Sequence, residues 1–257
     1  MAIEQPRWSV VVAALVLAAA PCPPSDAASL TKGRATVRFH LPVWAEFGLT
    51  PNSWIGPAGN DLPVGPSAGE DLLDTEGEGF ANPQLYPLNP PGRQLTPDPR
   101  RTAPATSFVY DPTSPATLRA TANGNIALAG VSRWTVDPDL GGGQLLFGDY
   151  ALAWNAADGR WELSNYIDFP VATFWIGDPV ETTGPGNAFS VSGDLIGSPY
   201  LNILLDGALG HDFGDFEFEA TAVPEPARVL SLLAGALVLA GPRLYRMARR
   251  RPPPPGV

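Results

Sequence analysis

The chain is acidic and poor in metal-binding and redox side chains: its 257 residues include 26 acidic and 16 basic residues, two histidines and one cysteine, for a formal charge of −10. One cysteine excludes a disulfide framework and a thiolate metal site, and two histidines exclude a His-rich metal site. Because an acidic surface repels phosphate backbones, we expect no nucleic-acid partner.

Residues 1–27 have the pattern of a secretory signal peptide. Arg7 precedes thirteen uncharged residues (8–20) rich in Val, Ala and Leu, the size and composition of the apolar part of such a signal. Small residues at the −3 and −1 positions then predict a mature chain that begins at Ala28. The alternatives are a membrane anchor, for which thirteen apolar residues are short, and a lipoprotein modified at Cys22, where the preceding proline disfavours processing. We therefore expect export.

Residues 28–116 combine one predicted strand with a proline-rich segment. Val37, Phe39 and Leu41 alternate with polar residues, a period of two that is typical of a half-buried strand. Residues 81–116 hold nine prolines in 36 positions, which excludes a helix or a central strand. We expect a polyproline-rich loop or a partly ordered arm in that segment.

Residues 117–222 are more regular, with short apolar runs separated by Gly, Asp-Pro and Asp-Gly turns. Six segments read as strands or strand pairs: NIALAGVSRWTV, GQLLFGDYALAW, RWELSNYIDF, VATFWIG, FSVSGDLIG and DFEFEATAV. Sustained helical periodicity is absent between the signal peptide and the C-terminal tail. The sequence therefore predicts an all-β fold, with an antiparallel β-sandwich or jelly-roll-like ectodomain whose core region is 117–222.

Two of these segments also predict where their side chains point. Leu152 and Trp154 precede an Asp-Gly turn, and Trp161 and Leu163 follow it, which predicts a hairpin with aromatic residues paired across it. In DFEFEATAV every second residue from Phe216 onward is apolar. One face of that strand is expected in the core and the other in water.

Few residues suggest catalysis or metal binding. HDFGD could bring His211, Asp212 and Asp215 together as metal ligands, although an exposed turn explains it equally well. EDLLDTEGE and DPDLGGG place carboxylates in carbonyl-rich loops without the EF-hand spacing, so weak calcium binding is the remaining cofactor hypothesis. No nucleophile, zinc-protease, P-loop or dinucleotide motif is present, which predicts a protein without catalytic activity. A glycan-active enzyme with two facing carboxylates is an alternative.

The number of tryptophans suggests a second function. Flat aromatic rings stack on sugars, so an envelope-displayed carbohydrate-binding module is the alternative hypothesis. The candidates outside the signal peptide are Trp44, Trp54, Trp134, Trp154, Trp161 and Trp175. Most of them lie in strand patterns, where packing in the core is the usual role of such side chains.

The C-terminal tail begins with Val223, Pro224, Glu225 and Pro226 and continues into thirteen uncharged residues (229–241). A basic cluster follows, formed by Arg243, Arg246, Arg249, Arg250 and Arg251. The apolar run predicts a single C-terminal transmembrane helix, with the arginines towards the cytoplasm according to the positive-inside rule. Both ends of the chain therefore predict the same topology, in which the middle is exported.

This order of Pro-Glu-Pro, apolar helix and arginine cluster resembles the PEP-CTERM sorting signal of exported bacterial proteins. The resemblance covers the signal at 223–251 and ends before the proline-rich tail at 252–257. It implies that the Pro-Glu-Pro is recognised by an exosortase, an integral-membrane cysteine protease or transpeptidase. Carriers of this signal are associated with extracellular polysaccharide and biofilm matrix. We therefore expect a non-enzymatic protein that is transiently anchored in the membrane and then resides at the cell surface or in the matrix, with exosortase, membrane and extracellular polysaccharide as partners.

Overall fold

The computed structural model describes residues 28–56, 77–90, 100–102, 104–111, 115–168, 170–184 and 188–224. Within these residues the chain is all-β, as the sequence predicts, with 13 strands and three short helices. The predicted signal peptide and transmembrane helix lie outside the described residues. No helix among the residues described has the length and apolar character needed to cross a membrane.

The strands have the following bounds: β1 (Ala28–Phe39), β2 (Leu49–Ile55), β3 (Glu78–Gly79), β4 (Gln84–Pro87), β5 (Val109–Tyr110), β6 (Ile126–Ala127), β7 (Val131–Val136), β8 (Gln144–Gly148), β9 (Ala151–Asn155), β10 (Arg160–Asn165), β11 (Val171–Gly184), β12 (Ala188–Gly197) and β13 (Asp212–Pro224). The helices are α1 (Leu41–Glu46), α2 (Pro115–Thr121) and α3 (Pro199–Leu204), with one 3-10 turn at Pro138–Leu140.

Two antiparallel sheets organise these strands. The large sheet has nine strands in the order β4-β1-β13-β12-β11-β10-β9-β6, and β5 also pairs with β1. The small sheet has the order β3-β2-β7-β8. Each sheet contains strands from both halves of the chain. In the large sheet, the first strand β1 lies beside the last strand β13.

One aromatic-rich core receives side chains from both sheets. On β1 and β13, alternate residues point inwards, and the inward pairs Ala35↔Phe218 and Val37↔Phe216 lie directly opposite each other. The small sheet contributes Trp134 to the same core. Removing each such large side chain from water stabilises the fold by about 1.5–3 kcal/mol.

The two predictions of side-chain orientation are confirmed. In the β9–β10 hairpin, Trp154 pairs with Trp161 and Leu152 pairs with Leu163, on either side of the Asp-Gly turn. On β13, burial alternates strictly from Phe216 to Thr221. Both patterns are local, and a period of two is sufficient to specify which face is buried.

The first strand is shorter than its alternation predicts, because β1 ends at Phe39 and Leu41 begins helix α1. The prediction that Leu41 continues the strand is therefore wrong. Pro42 has no N–H to donate to a strand partner but is well suited to the first turn of a helix. The indole N–H of Trp44 then donates to the carbonyl oxygen of Phe213 at 3.0 Å, which holds the helix against β13.

Strand β11 is longer than its apolar segment, since it continues past Gly177 to Gly184. The register with β12 shifts between Gly177 and Val180, where Asp178 has a φ of 41° and Pro179 follows. A bulge thus absorbs the Asp-Pro pair that reads as a turn in the sequence. Upstream, β4 provides the edge of the large sheet, a position that suits its own proline, Pro87.

Candidate functional site

The first two residues of the predicted sorting motif lie in strand β13. Val223 and Pro224 are the last residues of β13, and their backbones pair with Ser29 and Ala28 at the start of β1. Glu225, Pro226 and the arginine cluster lie outside the described residues. The predicted first residue of the mature chain, Ala28, is therefore the direct neighbour of Pro224, the first proline of the motif. We call this end of the strands the terminal end.

The opposite end of the same strands carries two of the three short helices. There β1 ends at Phe39, opposite Gly214, and β12 ends at Gly197, close to the start of β13. Helix α1 follows β1, and helix α3 follows β12. We call this end of the strands the far end. Helix α2 lies instead near the terminal end, where it packs against β5, which pairs with Ala28 and Ser29.

Most of the candidate tryptophans are structural. Trp44, Trp134 and Trp161 are completely buried, and Trp54 and Trp154 are partly buried against the core. Trp175 differs, because it lies on β11 between the inward-pointing Phe174 and Ile176 and therefore projects from the outer face of the large sheet. It is the candidate tryptophan with a position suited to a ligand.

Trp175 lines a shallow groove on that outer face, with a volume of about 340 Å³. We define the outer groove by five of its lining residues, which are Asp158, Arg160, Glu162, Trp175 and Tyr200. The register between β10 and β11 brings the groove residues together, since Glu162 on β10 lies directly opposite Trp175 on β11. The inward side chains Trp161 and Leu163 turn their neighbours Arg160 and Glu162 outwards.

Arg160 is the central side chain of the outer groove. Its guanidinium carbon lies 3.9 Å from the centre of the Trp175 ring, a close cation–π contact. Its Nη2 lies 2.9 Å from Asp158 Oδ2, and its Nε lies 3.7 Å from Glu162 Oε1. These contacts give the groove a flat aromatic and cationic wall with carboxylates beside it.

Tyr200 forms the other aromatic wall of the groove from the first turn of α3. The hydroxyl of Ser198 caps this helix, accepting hydrogen bonds from the N–H groups of Tyr200 and Leu201. Partial burial raises the pKa of Tyr200, and the negative charge of Asp168 raises it further. The Tyr200 phenol therefore stays neutral and retains its proton for hydrogen bonding at physiological pH.

The HDFGD segment is arranged differently from the metal-site hypothesis. His40, from the end of β1, lies between Asp212 and Asp215, with Nδ1 3.2 Å from Asp212 Oδ2 and Nε2 3.7 Å from Asp215 Oδ1. His211 instead packs edge-on against Phe47. Among the described residues, no group of three or more His, Cys, Asp and Glu side chains is arranged to hold a metal ion.

The two calcium candidates are only partly described. In DPDLGGG, Asp137 accepts a hydrogen bond from the N–H of Asp139 and caps the 3-10 turn, so its carboxylate has a structural partner. Most of EDLLDTEGE lies outside the described residues.

Asp194 is a further carboxylate near His40, Asp212 and Asp215, and it gives a pH-dependent prediction. Burial raises its pKa, the charges of Asp212, Asp215 and Asp178 raise it further, and His40 lowers it. The folded protein thus holds this proton more tightly than the unfolded chain, so stability falls as pH rises from the ordinary carboxyl pKa through the raised one. Asp194→Asn should therefore melt higher than the wild type at neutral pH, by an amount that shrinks on acidification.

Thermal melts of wild type and Asp194→Asn between about pH 4 and pH 7 measure this difference. Asp206→Asn is the matched control, because Asp206 is exposed in the turn after α3. We expect that control to leave the pH dependence unchanged. Parallel curves for Asp194→Asn and wild type over the whole range would contradict the prediction.

A buried ion pair was not foreseen from the sequence. Arg101 and Asp149 have completely buried side chains and form two hydrogen bonds of 2.6 Å, from Nε to Oδ2 and from Nη2 to Oδ1. Asp149 Oδ1 also accepts from the N–H of Gly130 at 3.0 Å. Because both charges are withdrawn from solvent, this pair joins the proline-rich region to the core and does not form a ligand site.

Two solvent-facing features therefore remain as functional candidates, the terminal end with the motif that follows it and the outer groove around Arg160. The catalytic hypothesis gains no support from the groove carboxylates, since Asp158 and Glu162 both lie beside Arg160. No model of a known protein family matches the chain, and no curated protein or solved structure matches it.

Proposed function

We propose that this chain is an exported, non-enzymatic protein of the cell surface or extracellular matrix, sorted by an exosortase through Val223, Pro224, Glu225 and Pro226. The observation that carries the proposal is the pairing of Val223 and Pro224, the first two residues of the motif, with Ser29 and Ala28 at one end of the large sheet. Glu225 and Pro226 follow Pro224 directly in the sequence, so the motif is attached to the last strand of the sheet. This is the position that a membrane-embedded protease needs for its recognition sequence.

The chemistry of the motif supports this role. Pro224 and Pro226 have no N–H groups, and each proline fixes its own φ. The residue before a proline is also disfavoured from helical geometry, so Glu225 is expected to be extended. An acidic side chain held between the domain and an apolar helix would lie at a defined height above the membrane.

The terminal end also supports the proposed topology. The predicted signal peptide precedes Ala28 and the predicted membrane helix follows Pro224, and these two residues are partners. Both predicted apolar segments are therefore joined in sequence to residues at one end of the domain, which fits a domain that is tethered transiently at that end and then released to the surface or matrix. The two antiparallel sheets around one core support an ectodomain of the β-sandwich or jelly-roll type.

Replacing Pro224, Glu225 and Pro226 together by alanine should block processing of the tail. The intact mass of the protein isolated from its host is the measurement. We expect the wild type to lack the apolar segment at 229–241 and the variant to keep it. The fold should survive, because Pro224, the one of the three within the described residues, is the last described residue of β13, and alanine is readily accommodated in a strand.

A control with the same number of proline-region changes is available in the tail. Pro252, Pro253 and Pro254 can be replaced together by alanine, which leaves the Pro-Glu-Pro and the arginine cluster intact. This control should be processed like the wild type. If the wild type and the motif variant both retain residues 229–241, the tail is a simple anchor and sorting by an exosortase is wrong.

A second candidate function is an envelope-displayed carbohydrate-binding module. The observation that favours it is the outer groove, where Trp175 and Tyr200 are both partly exposed beside polar groups. Aromatic rings flanked by hydrogen-bonding side chains are suited to sugars, which have apolar ring faces and polar edges. The two functions are compatible, since one concerns the tail and the other the sheet surface.

A further inference from the structure

We infer that the outer groove binds an internal segment of a neutral polysaccharide, with Trp175 and Tyr200 as its aromatic walls and Arg160 as its central hydrogen-bond donor. This deepens the second candidate function and rests on it. The inference depends on four properties of the groove, which are its rigidity, its polar groups, its charge and its form.

The groove is rigid before any ligand arrives. Asn155 Nδ2 donates to Asp158 Oδ2 at 3.0 Å and to Glu162 Oε1 at 2.9 Å, which fixes both carboxylates. These carboxylates hold Arg160, whose guanidinium carbon lies 3.9 Å from the centre of the Trp175 ring over one face, while Trp175 stays partly exposed. A ligand therefore meets two carboxylates and a guanidinium that are already held by hydrogen bonds and ionic contacts, and less binding energy is spent on ordering them.

The polar groups match a polyol in number and kind. Carboxylate oxygens of Asp158 and Glu162 accept hydrogen bonds, the guanidinium of Arg160 donates them, and the neutral hydroxyl of Tyr200 does both. Adjacent hydroxyls on a sugar ring present donors and acceptors side by side. The groove offers the complementary set within one patch.

The charge of the groove selects against acidic ligands. Asp158 and Glu162 outnumber Arg160, while Asp168, which is close enough to affect Tyr200, is paired with Arg100. A uronic acid or a sulfated sugar would meet like charges, which costs binding energy.

The form of the groove favours a polymer. Its volume of about 340 Å³ is at the lower end of ligand-binding cavities, and it lies open on a sheet face. A larger groove of about 590 Å³ lies near the terminal end, beside Arg34 and Glu219. The aromatic side chain among its lining residues, Phe189, is buried in the core, so that groove offers no stacking surface.

Binding to a glycan array tests the inference, with the full protein as isolated from its host. The probes are neutral α- and β-glucans, mannans and galactans, with alginate and polygalacturonate as acidic probes. We expect retention on at least one neutral polymer and loss of affinity of at least about tenfold in Trp175→Ala and in Tyr200→Ala. Ile203→Ala is the control, since Ile203 lies on the same helix as Tyr200 and is 79% exposed outside the groove.

Three results would each overturn the inference: no binding to any neutral polymer, preference for the acidic polymers, or unchanged affinity in a folded Trp175→Ala or Tyr200→Ala variant. Thermal melts establish folding, and Tyr200→Ala decides if Trp175→Ala does not fold. The intact mass of the same samples reports on sorting separately. A processed protein that binds nothing refutes only the groove, and an unprocessed protein that binds glycan refutes only the sorting signal.

Discussion

Replacing Asp149 with asparagine is expected to lower the free energy of unfolding by about 3–5 kcal/mol, the usual cost of breaking a buried ion pair from one side. The change leaves the charge of Arg101 in the core, where water cannot solvate it. The geometry at Asp149 is otherwise preserved, because asparagine has the same shape and still offers an oxygen to the N–H of Gly130. Urea denaturation measures the effect.

The neighbouring pair provides a matched control. Arg100 Nε lies 2.7 Å from Asp168 Oδ1, but these side chains are 27% and 44% exposed. Asp168→Asn should therefore cost no more than about 1 kcal/mol. Asp149 and Asp168 both have positive φ angles, of 41° and 66°, which asparagine tolerates well. Equal losses for the two variants would show that burial of the Arg101 pair has no special energetic weight.

Replacing Trp134 with alanine is expected to cost about 3–5 kcal/mol by opening a cavity between the two sheets. Trp134 belongs to the small sheet and stacks on Trp44 of α1, with ring centres 4.2 Å apart and an interplanar angle of 16°. The edges of Phe39 and Phe80 also contact its ring. No other side chain in that space can replace these contacts, because interiors relax only partly around a void.

Two phenylalanine variants separate packing from hydrogen bonding. The indole N–H of Trp134 has no hydrogen-bond partner among the described residues, whereas that of Trp44 donates to Phe213. Trp44→Phe should therefore cost about 0.5–1.5 kcal/mol more than Trp134→Phe. Chemical denaturation monitored by far-UV circular dichroism compares the two. Trp175→Ala, on the outer face, is the surface control, and the packing argument fails if Trp134→Ala costs no more than this control.

The fold was predictable where one strand carries its own pattern. Phe216 and its alternate neighbours specify the buried face of β13, and an Asp-Gly turn between paired aromatic residues specifies the β9–β10 hairpin. Leu41 shows the limit of this reasoning. Its place in an alternating pattern favours a strand, but Pro42 and the hydrogen bond from Trp44 to Phe213 favour a helix instead. A tertiary contact of that kind does not appear in the hydrophobic periodicity of so short a segment.

The candidate site was less predictable because it depends on register. Nothing in the sequence distinguishes Trp175 from the five other candidate tryptophans. Only the pairing of β10 with β11 brings Arg160 and Glu162 next to it. His40 reaches Asp212 in the same way, through the pairing of the first and last strands. A chain with many carboxylates offers numerous such combinations, and spacing along the sequence does not rank them.

The position of β13 affects how the domain would bear mechanical force. β13 lies between β1 and β12 and is hydrogen-bonded to both along most of its length. Because antiparallel hydrogen bonds run across the strands, tension applied to the chain beyond Pro224 along the strand axis loads them in shear, all together. Resistance to such forced unfolding depends on the unfolding rate. If the chain beyond Pro224 were anchored and the outer groove bound a polymer, the tension between them would therefore pass through β13, which is hydrogen-bonded on both sides.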